Sequence, residues 1–135
     1  MSSPRKLLQT SLIPIRWGDM DAYGHVNNTV YFRFMEQCRV EYLEQLGFKV
    51  RPEGSAPVII NAGCTFIVPL NYPGTVEIRM FGGQPGRSSI PTDYEIRLQG
   101  DDTLYATGDS KIVWMDVASG KSVPIPDELR AQLTE

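Results

Sequence analysis

Five segments of the chain have the residue pattern of β-strands. In the first, residues 9–17, apolar and polar side chains alternate, so that Ile13, Ile15 and Trp17 share one face. Alternation with a period of two is typical of a strand that buries one side. The other four segments follow later in the chain, at 58–68, 76–81, 92–98 and 104–115.

One longer segment, from Asn28 onwards, has the spacing of a helix. Its apolar residues recur three or four positions apart, which places them on one face of a helix of about five turns. These residues are Tyr31, Phe34, Met35, Cys38, Tyr42 and Leu46. Gly47 follows at the point where helices commonly end in left-handed geometry. A short second helix is expected after Pro126.

Turn-forming residues separate these elements. Gly, Pro, Asn, Asp and Ser cluster in a loop at 52–57 and in turns at 71–74, 82–86, 100–102 and 119–120. Short links favour antiparallel neighbours, so we predict an α+β fold in which a five-stranded antiparallel sheet wraps around one long central helix. Residues 1–135 are expected to form a single domain of this kind.

A single sheet over one helix leaves strand edges and part of the sheet surface uncovered. Exposed edges of this kind tend to pair with another chain. We therefore expect a homodimer, or a homotetramer built from two such dimers.

The charge balance argues against a nucleic-acid-binding protein. The 135 residues include 13 Lys and Arg against 16 Asp and Glu, a net charge of −3, whereas nucleic-acid-binding domains normally display a clustered excess of basic residues. No apolar run approaches the roughly 20 residues that cross a bilayer, and residues 1–15 lack the apolar core of a signal peptide. A cytoplasmic location without membrane contact is the expectation.

The two cysteines, Cys38 and Cys64, have no histidine or cysteine nearby at the spacing of a metal site. They fall in a predicted helix and a predicted strand, so we expect both to be buried, reduced thiols. The alternative is a nucleophilic cysteine paired with the sole histidine, His25. Neither a metal nor a tightly held redox cofactor is predicted.

The segment 16–28 carries the strongest indication of chemistry. It reads RWGDMDAYGHVNN, and it places two carboxylates on a loop that leads directly into the predicted helix. A helix N-terminus has about half a positive charge and N–H groups without intrahelical partners, so it can hold a carbonyl oxygen that becomes an oxyanion. A carboxylate beside such a donor favours acyl transfer.

This segment resembles the start of the 4-hydroxybenzoyl-CoA thioesterase family of hotdog-fold proteins, in which a strand is followed by a D-x-D-x-x-G-H-V-N-N loop and a long central helix. The resemblance extends more loosely over 57–69, 86–89 and 112–116. It implies the hotdog fold and the hydrolysis of an acyl-CoA to a carboxylic acid and CoA. The chain departs from many relatives at 73–75, where Pro-Gly-Thr stands in place of a Gly-Asp pair.

In that family the second carboxylate of the loop is the catalytic one, and here it is Asp21. The resemblance implies that Asp21 either attacks the thioester carbonyl or removes a proton from the attacking water, and the sequence does not separate the two roles. The oxyanion donor would be a backbone N–H at the start of the helix, that of Asn28. Asp19 is expected to point elsewhere and to stabilise the loop through hydrogen bonds.

His25 and Glu36 are the secondary candidates. We interpret His25 as a histidine that supports the catalytic loop, with an Asp–His dyad as the alternative. The loop lacks the Asn-Pro and the spacing of hotdog hydratases, so a hydratase is the weaker match. In relatives, the residue at the helix position of Glu36 can approach the acyl group, whereas without the resemblance Glu36 is simply a surface helix charge.

Arg87, Ser88 and Ser89 are the candidates for binding phosphate. A guanidinium and two hydroxyls before a strand can hold phosphate oxygens, although such a segment is also a common turn. By resemblance, this segment lies where the family contacts the nucleotide end of CoA. The expected partner is therefore an acyl-CoA substrate.

Two alternatives stand beside acyl-CoA hydrolysis. The GHVNN segment also resembles the plant-type fatty acyl thioesterases, which favours an acyl-carrier-protein substrate. A hotdog module that binds acyl thioesters without turnover is the non-enzymatic alternative. Acyl chain length and aromatic preference depend on the shape of the pocket, which the sequence does not give.

Overall fold

The computed structural model describes residues 5–48 and 54–134, which form one antiparallel sheet and two helices. The strands are β1 (Lys6–Pro14), β2 (Ser55–Phe66), β3 (Thr75–Gly82), β4 (Ser89–Leu98) and β5 (Ala106–Asp116). The helices are α1 (Asn28–Gln45) and α2 (Asp127–Thr134), and a single 3₁₀ turn covers Trp17–Asp19. The strand order is β1-β3-β4-β5-β2. The predicted α+β hotdog arrangement is confirmed.

The first strand lies three residues earlier than the sequence pattern indicates. It ends at Pro14, and Trp17 is 74% exposed in the 3₁₀ turn, so the prediction that Trp17 shares a buried face with Ile15 is wrong. The reason is local. The backbone N–H of Arg16 donates to the Asp19 carboxylate at 2.8 Å, and this bond turns the chain away from the sheet.

The second strand begins earlier than predicted because its partner decides its length. It pairs with β5 from Ser55, opposite Asp116, to Phe66, opposite Ala106. Part of the predicted loop at 52–57 therefore belongs to the strand, while residues 52 and 53 lie outside the described residues. Pro57 is tolerated because β2 is an edge strand.

The apolar face of α1 packs against the concave face of the sheet, as predicted. Its buried side chains are Tyr31, Phe34, Met35, Cys38 and Tyr42. They meet the inward-facing side chains of β3 and β4, which include Val76, Ile78, Met80, Tyr94 and Ile96. Each large side chain buried in this way contributes about 1.5–3 kcal/mol. In the described part of the chain, neither helix is long and apolar enough to span a membrane.

The side chain of Met35 on α1 packs directly against Gly108 of β5. A methyl group built on Gly108 would overlap the sulfur of Met35 and lie 3.2 Å from the carbonyl oxygen of Gly63. Met35 is only 1% exposed, so moving it aside would disturb the packed core. The lack of a side chain at Gly108 therefore leaves the space that Met35 fills.

We expect Gly108→Ala to lower the free energy of unfolding by about 1–3 kcal/mol, because it overpacks this contact. Urea unfolding followed by circular dichroism measures the change. Gly18→Ala is the matched control, since a methyl group there meets nothing within 4 Å. Equal free energies of unfolding for the two variants would show that the space at Gly108 does not limit the stability of the fold.

Candidate active site

The loop that precedes α1 folds as a narrow hairpin. Met20 and Val26 form an antiparallel bridge. Between them, the N–H of Asp21 donates to the carbonyl of His25 at 2.8 Å, and the N–H of Gly24 donates to the carbonyl of Asp21 at 3.1 Å. Gly24 has a φ of 80°, a left-handed conformation that favours glycine. The loop is therefore built by its own backbone, and Asp21 stands at its turn.

Asp19 is buried, and both of its carboxylate oxygens accept hydrogen bonds from within the chain. One carboxylate oxygen accepts the backbone N–H of Arg16 at 2.8 Å, and the other accepts the Arg16 guanidinium at 3.1 Å. Its carbonyl accepts the N–H of Asn27 at 2.9 Å. The prediction that Asp19 stabilises the loop through hydrogen bonds is confirmed.

The first turn of α1 is capped by Asn27. The Asn27 side-chain oxygen accepts the N–H of Thr29 at 2.9 Å and the Thr29 hydroxyl at 2.8 Å, and the Asn27 carbonyl accepts the N–H of Val30 at 2.9 Å. Within residues 5–48 and 54–134, the N–H of Asn28 has no hydrogen-bond acceptor. A donor at the positive end of the helix is thus available to a ligand.

Asp21, His25 and Asn28 line one pocket of about 330 Å³. One oxygen of the half-buried Asp21 carboxylate accepts the N–H of Tyr23 at 2.9 Å. The opposite wall is apolar and is formed by the segment 66–69 that follows β2. A carboxylate and a backbone donor therefore share a pocket with an apolar wall, an arrangement suited to an acyl group and its carbonyl.

Tyr31 connects the helix to this apolar wall. Its ring meets the ring of Phe66 edge-on, with the centroids 4.8 Å apart, and its oxygen accepts the N–H of Leu70 at 3.3 Å. Burial raises the pKa of Tyr31, which keeps the phenol neutral. The sequence analysis did not identify Tyr23, Tyr31 or the segment 66–69 as pocket residues. The apolar run Phe-Ile-Val-Pro at 66–69 was the feature of the sequence that indicated an apolar pocket wall.

His25 is held by two contacts. Its carbonyl accepts the N–H of Asp21, and its Nδ1 lies 2.9 Å from the side-chain amide of Asn71. This agrees with the interpretation of His25 as a support of the loop, and it also places the ring in the pocket wall. The sequence analysis counted Asn71 only as a turn residue, because the contact joins positions 46 residues apart.

Glu36 does not lie in this pocket. It is exposed, pairs with Arg33 at 2.9 Å and lines a separate, larger groove of about 740 Å³ that also contains Asp19. Within one chain, the structure brings together Asp21, His25 and Asn28 and separates Glu36 from them. The physical reason is helical geometry, because a side chain eight positions after the first residue of α1 lies about two turns away along the axis.

Arg87, Ser88 and Ser89 also lie outside the pocket. The carbonyl of Arg87 accepts the N–H of Ile125 and the guanidinium of Arg130, each at 3.0 Å, and the carbonyl of Ser88 accepts the N–H of Trp114 at 2.8 Å. Ser89 is the first residue of β4. The backbone of this segment is therefore fixed, while the Arg87 side chain is exposed and available to a ligand.

The two cysteines are free thiols, and neither lines the pocket that holds His25. Cys38 is buried as predicted, whereas Cys64 is only half-buried because it lies on the edge strand β2. Burial raises the pKa of each thiol to about 11, with Asp109 adding to the effect at Cys64. Both therefore stay protonated near neutral pH, which disfavours the cysteine–histidine alternative.

Acidic, histidine and cysteine side chains are spread out in the fold. Across the described ranges, no group of three or more of them is placed to hold a metal ion.

Comparison with known proteins identifies the family. Residues 15–133 match the model of the thioesterase-like superfamily. A solved structure of a proposed thioesterase from Pseudomonas aeruginosa is 39% identical, with a TM-score of 0.91, and the match covers 93% of this chain and 98% of that chain. A gentisyl-coenzyme A thioesterase is 26% identical, with a TM-score of 0.81 and coverages of 90% and 99%.

Among curated proteins, a proposed esterase of Aquifex aeolicus (strain VF5) is 30% identical over 118 residues, which cover 85% of this chain and 89% of the relative. The family model spans the loop, the central helix and all strands after β1. The chain therefore belongs to the thioesterase-like superfamily, and it is a thioester hydrolase.

Proposed function

We propose that the protein hydrolyses an acyl-CoA to a carboxylic acid and free CoA in the Asp21 pocket. The observation that supports this most strongly is that Asp21 and Asn28 line the same pocket beside an apolar wall, and that the N–H of Asn28 has no acceptor within the described part of the chain. The similar gentisyl-coenzyme A thioesterase acts on a CoA thioester, which favours the same class of substrate here. The narrower assignment to the 4-hydroxybenzoyl-CoA thioesterases stays a prediction, as does the cytoplasmic location.

Two routes use the same carboxylate. In the first, Asp21 attacks the thioester carbon, CoA leaves as the thiolate, and water then hydrolyses the mixed anhydride. In the second, Asp21 removes a proton from water as the water oxygen attacks that carbon, and the tetrahedral intermediate expels CoA. In both routes the N–H of Asn28 stabilises the carbonyl oxygen while it carries negative charge.

We expect Asp21→Asn to lower kcat for acyl-CoA by about 10²–10⁴-fold, because the amide is neither a nucleophile nor a base. Substrate binding and the unfolding transition should change little. Steady-state kinetics with a panel of acyl-CoA thioesters measures the effect, and Asp102→Asn, on the exposed turn after β4, is the control.

Near-normal turnover by Asp21→Asn would exclude a mechanism in which Asp21 is the nucleophile or the base. The same panel, extended to acyl-carrier-protein thioesters, tests the two alternatives. Preference for the carrier protein would favour an acyl-carrier-protein thioesterase, and binding without turnover would favour a silent binding module.

We also propose that the protein is a homodimer that pairs through β2. This strand is one edge of the sheet, and it exposes apolar side chains along its length and just beyond it. They are Val58, Ile59, Ile60, Phe66, Ile67 and Val68. The outer face of the sheet is instead covered by ion pairs such as Glu77–Arg79 and Glu95–Arg97, which favour water over a dry interface.

Pairing through β2 would place the Asp21 pocket near the subunit boundary, because the segment 66–69 forms its wall. Arg87 and Glu36 do not line the Asp21 pocket of their own chain. Their roles in binding phosphate and contacting the acyl group stay predictions, as does the formation of a tetramer.

Sedimentation at micromolar concentration should give twice the chain mass of 15.1 kDa. Ile60→Lys, at a position that is 50% exposed on β2, should shift the protein towards the monomer because it places a charge in the apolar interface. The matched control is Leu12→Lys, which is 48% exposed on the opposite edge strand, β1. Dissociation by the control alone would assign the interface to β1.

If Arg87 holds a phosphate of CoA, Arg87→Ala should raise KM for acyl-CoA more than for the corresponding acyl-pantetheine. A hydrogen bond to a charged group contributes about 1.5–3 kcal/mol, which corresponds to a roughly 10–150-fold change. Lys111→Ala, on the outer face of the sheet, controls for the loss of one positive charge. Equal changes for both substrates would exclude a phosphate contact by Arg87.

A further inference from the structure

The amide of Asn71 lies at the junction of the catalytic loop and the turn after β2. One end of the amide is 2.9 Å from Nδ1 of His25. The same end also faces the carbonyl oxygens of Gly24 and Leu70, at 2.8 and 3.1 Å. This end is assigned as the NH₂ group, because carbonyl oxygens only accept hydrogen bonds and an oxygen here would face two others. The two protons of this NH₂ group meet three acceptors. The carbonyl of Leu70 is the farthest of them and already accepts the N–H of Val26 at 2.8 Å, so the two protons are assigned to the carbonyl of Gly24 and to Nδ1 of His25.

The orientation of this amide decides which nitrogen of His25 carries the proton. If the NH₂ group of Asn71 donates to Nδ1, then Nδ1 is an acceptor and the single proton of the neutral ring is on Nε2. In the part of the chain that is described, Nε2 has no hydrogen-bond partner. The ring belongs to the wall of the pocket that contains Asp21 and Asn28.

We propose that Asn71 is a positioning residue that fixes the Nε2–H tautomer of His25, so that the ring presents a hydrogen-bond donor to the substrate. This inference rests on the proposed hydrolysis at the Asp21 pocket. The donor joins the N–H of Asn28 in stabilising the carbonyl oxygen as its charge develops. The proton stays on Nε2 throughout, and Asp21 alone acts as base or nucleophile.

The tautomer is accessible to direct measurement because His25 is the sole histidine of the chain. In ¹⁵N-labelled wild-type protein above the titration range of the ring, the resonances of the imidazole should show the proton on Nε2 and a lone pair on Nδ1. In Asn71→Asp, a carboxylate replaces the donor, so the proton should move to Nδ1. Gln45→Glu, at the exposed end of α1, is the control for the same change of charge and should leave the tautomer unchanged.

Kinetics then tests whether the donor is used. Asn71→Asp and His25→Ala should each lower kcat on the order of 10²-fold with little change in KM, which is typical of a lost oxyanion donor. His25→Gln should recover much of the activity lost in His25→Ala, because its amide NH₂ can occupy the place of Nε2–H. A histidine that acted as a base would not be replaced by glutamine.

Three results would overturn the proposal: a wild-type proton on Nδ1, an unchanged tautomer in Asn71→Asp, or equal losses in His25→Gln and His25→Ala. If Asn71→Asp does not fold, the tautomer of the wild-type protein and the activities of the two His25 variants still test the proposal. A wild-type protein that has the expected tautomer but hydrolyses no thioester would refute the proposed hydrolysis and would still support the assignment of Asn71.

Discussion

The packing of α1 into the curved sheet is the constraint on which the site depends. The apolar face of α1 is buried along most of its length against the core side chains of the sheet, and Gly108 leaves space for Met35 within that packing. A helix held so firmly has a fixed N-terminus. The N–H of Asn28 is therefore a donor whose position is set before any substrate binds, and such preorganisation is what makes an oxyanion site effective.

The loop before α1 divides its two carboxylates between structure and chemistry. Asp19 and Asp21 are two positions apart, yet they line different cavities. Both carboxylate oxygens of Asp19 accept bonds from Arg16, and its carbonyl accepts the N–H of Asn27, which joins the loop to the start of the helix. Asp21 accepts one backbone bond from Tyr23, and among residues 5–48 and 54–134 its second oxygen has no hydrogen-bond partner. The fully bonded carboxylate supports the one that is free to react.

The other wall of the pocket comes from a distant part of the chain. Phe66, the last residue of β2, and the segment 67–69 that follows it contribute the apolar side chains, and Asn71 contacts His25. It is tied to α1 through Tyr31, whose ring contacts Phe66 and whose oxygen accepts the N–H of Leu70. The same segment continues the exposed edge strand. Pocket shape and subunit pairing therefore depend on the same few residues, which links the proposed dimer to the proposed activity.

Much of this protein is determined by local pattern. Periodicity was sufficient to predict the strands, the central helix and the fold, since alternation and helical spacing report directly which face of each element is buried. The sequence also indicated the carboxylate loop and the helix start, because the segment 16–28 resembles a known family motif and its candidates Asp21, His25 and Asn28 lie within eight consecutive residues. Only the tertiary structure decided the rest. The ends of β1 and β2 depend on Asp19 and on the length of β5. The separation of Glu36 from the pocket depends on the direction of α1. The contact of His25 with the amide of Asn71 joins positions 46 residues apart. Contacts between distant positions leave no periodic pattern in the sequence. They form only when the sheet has closed around the helix, so the sequence pattern alone does not predict them.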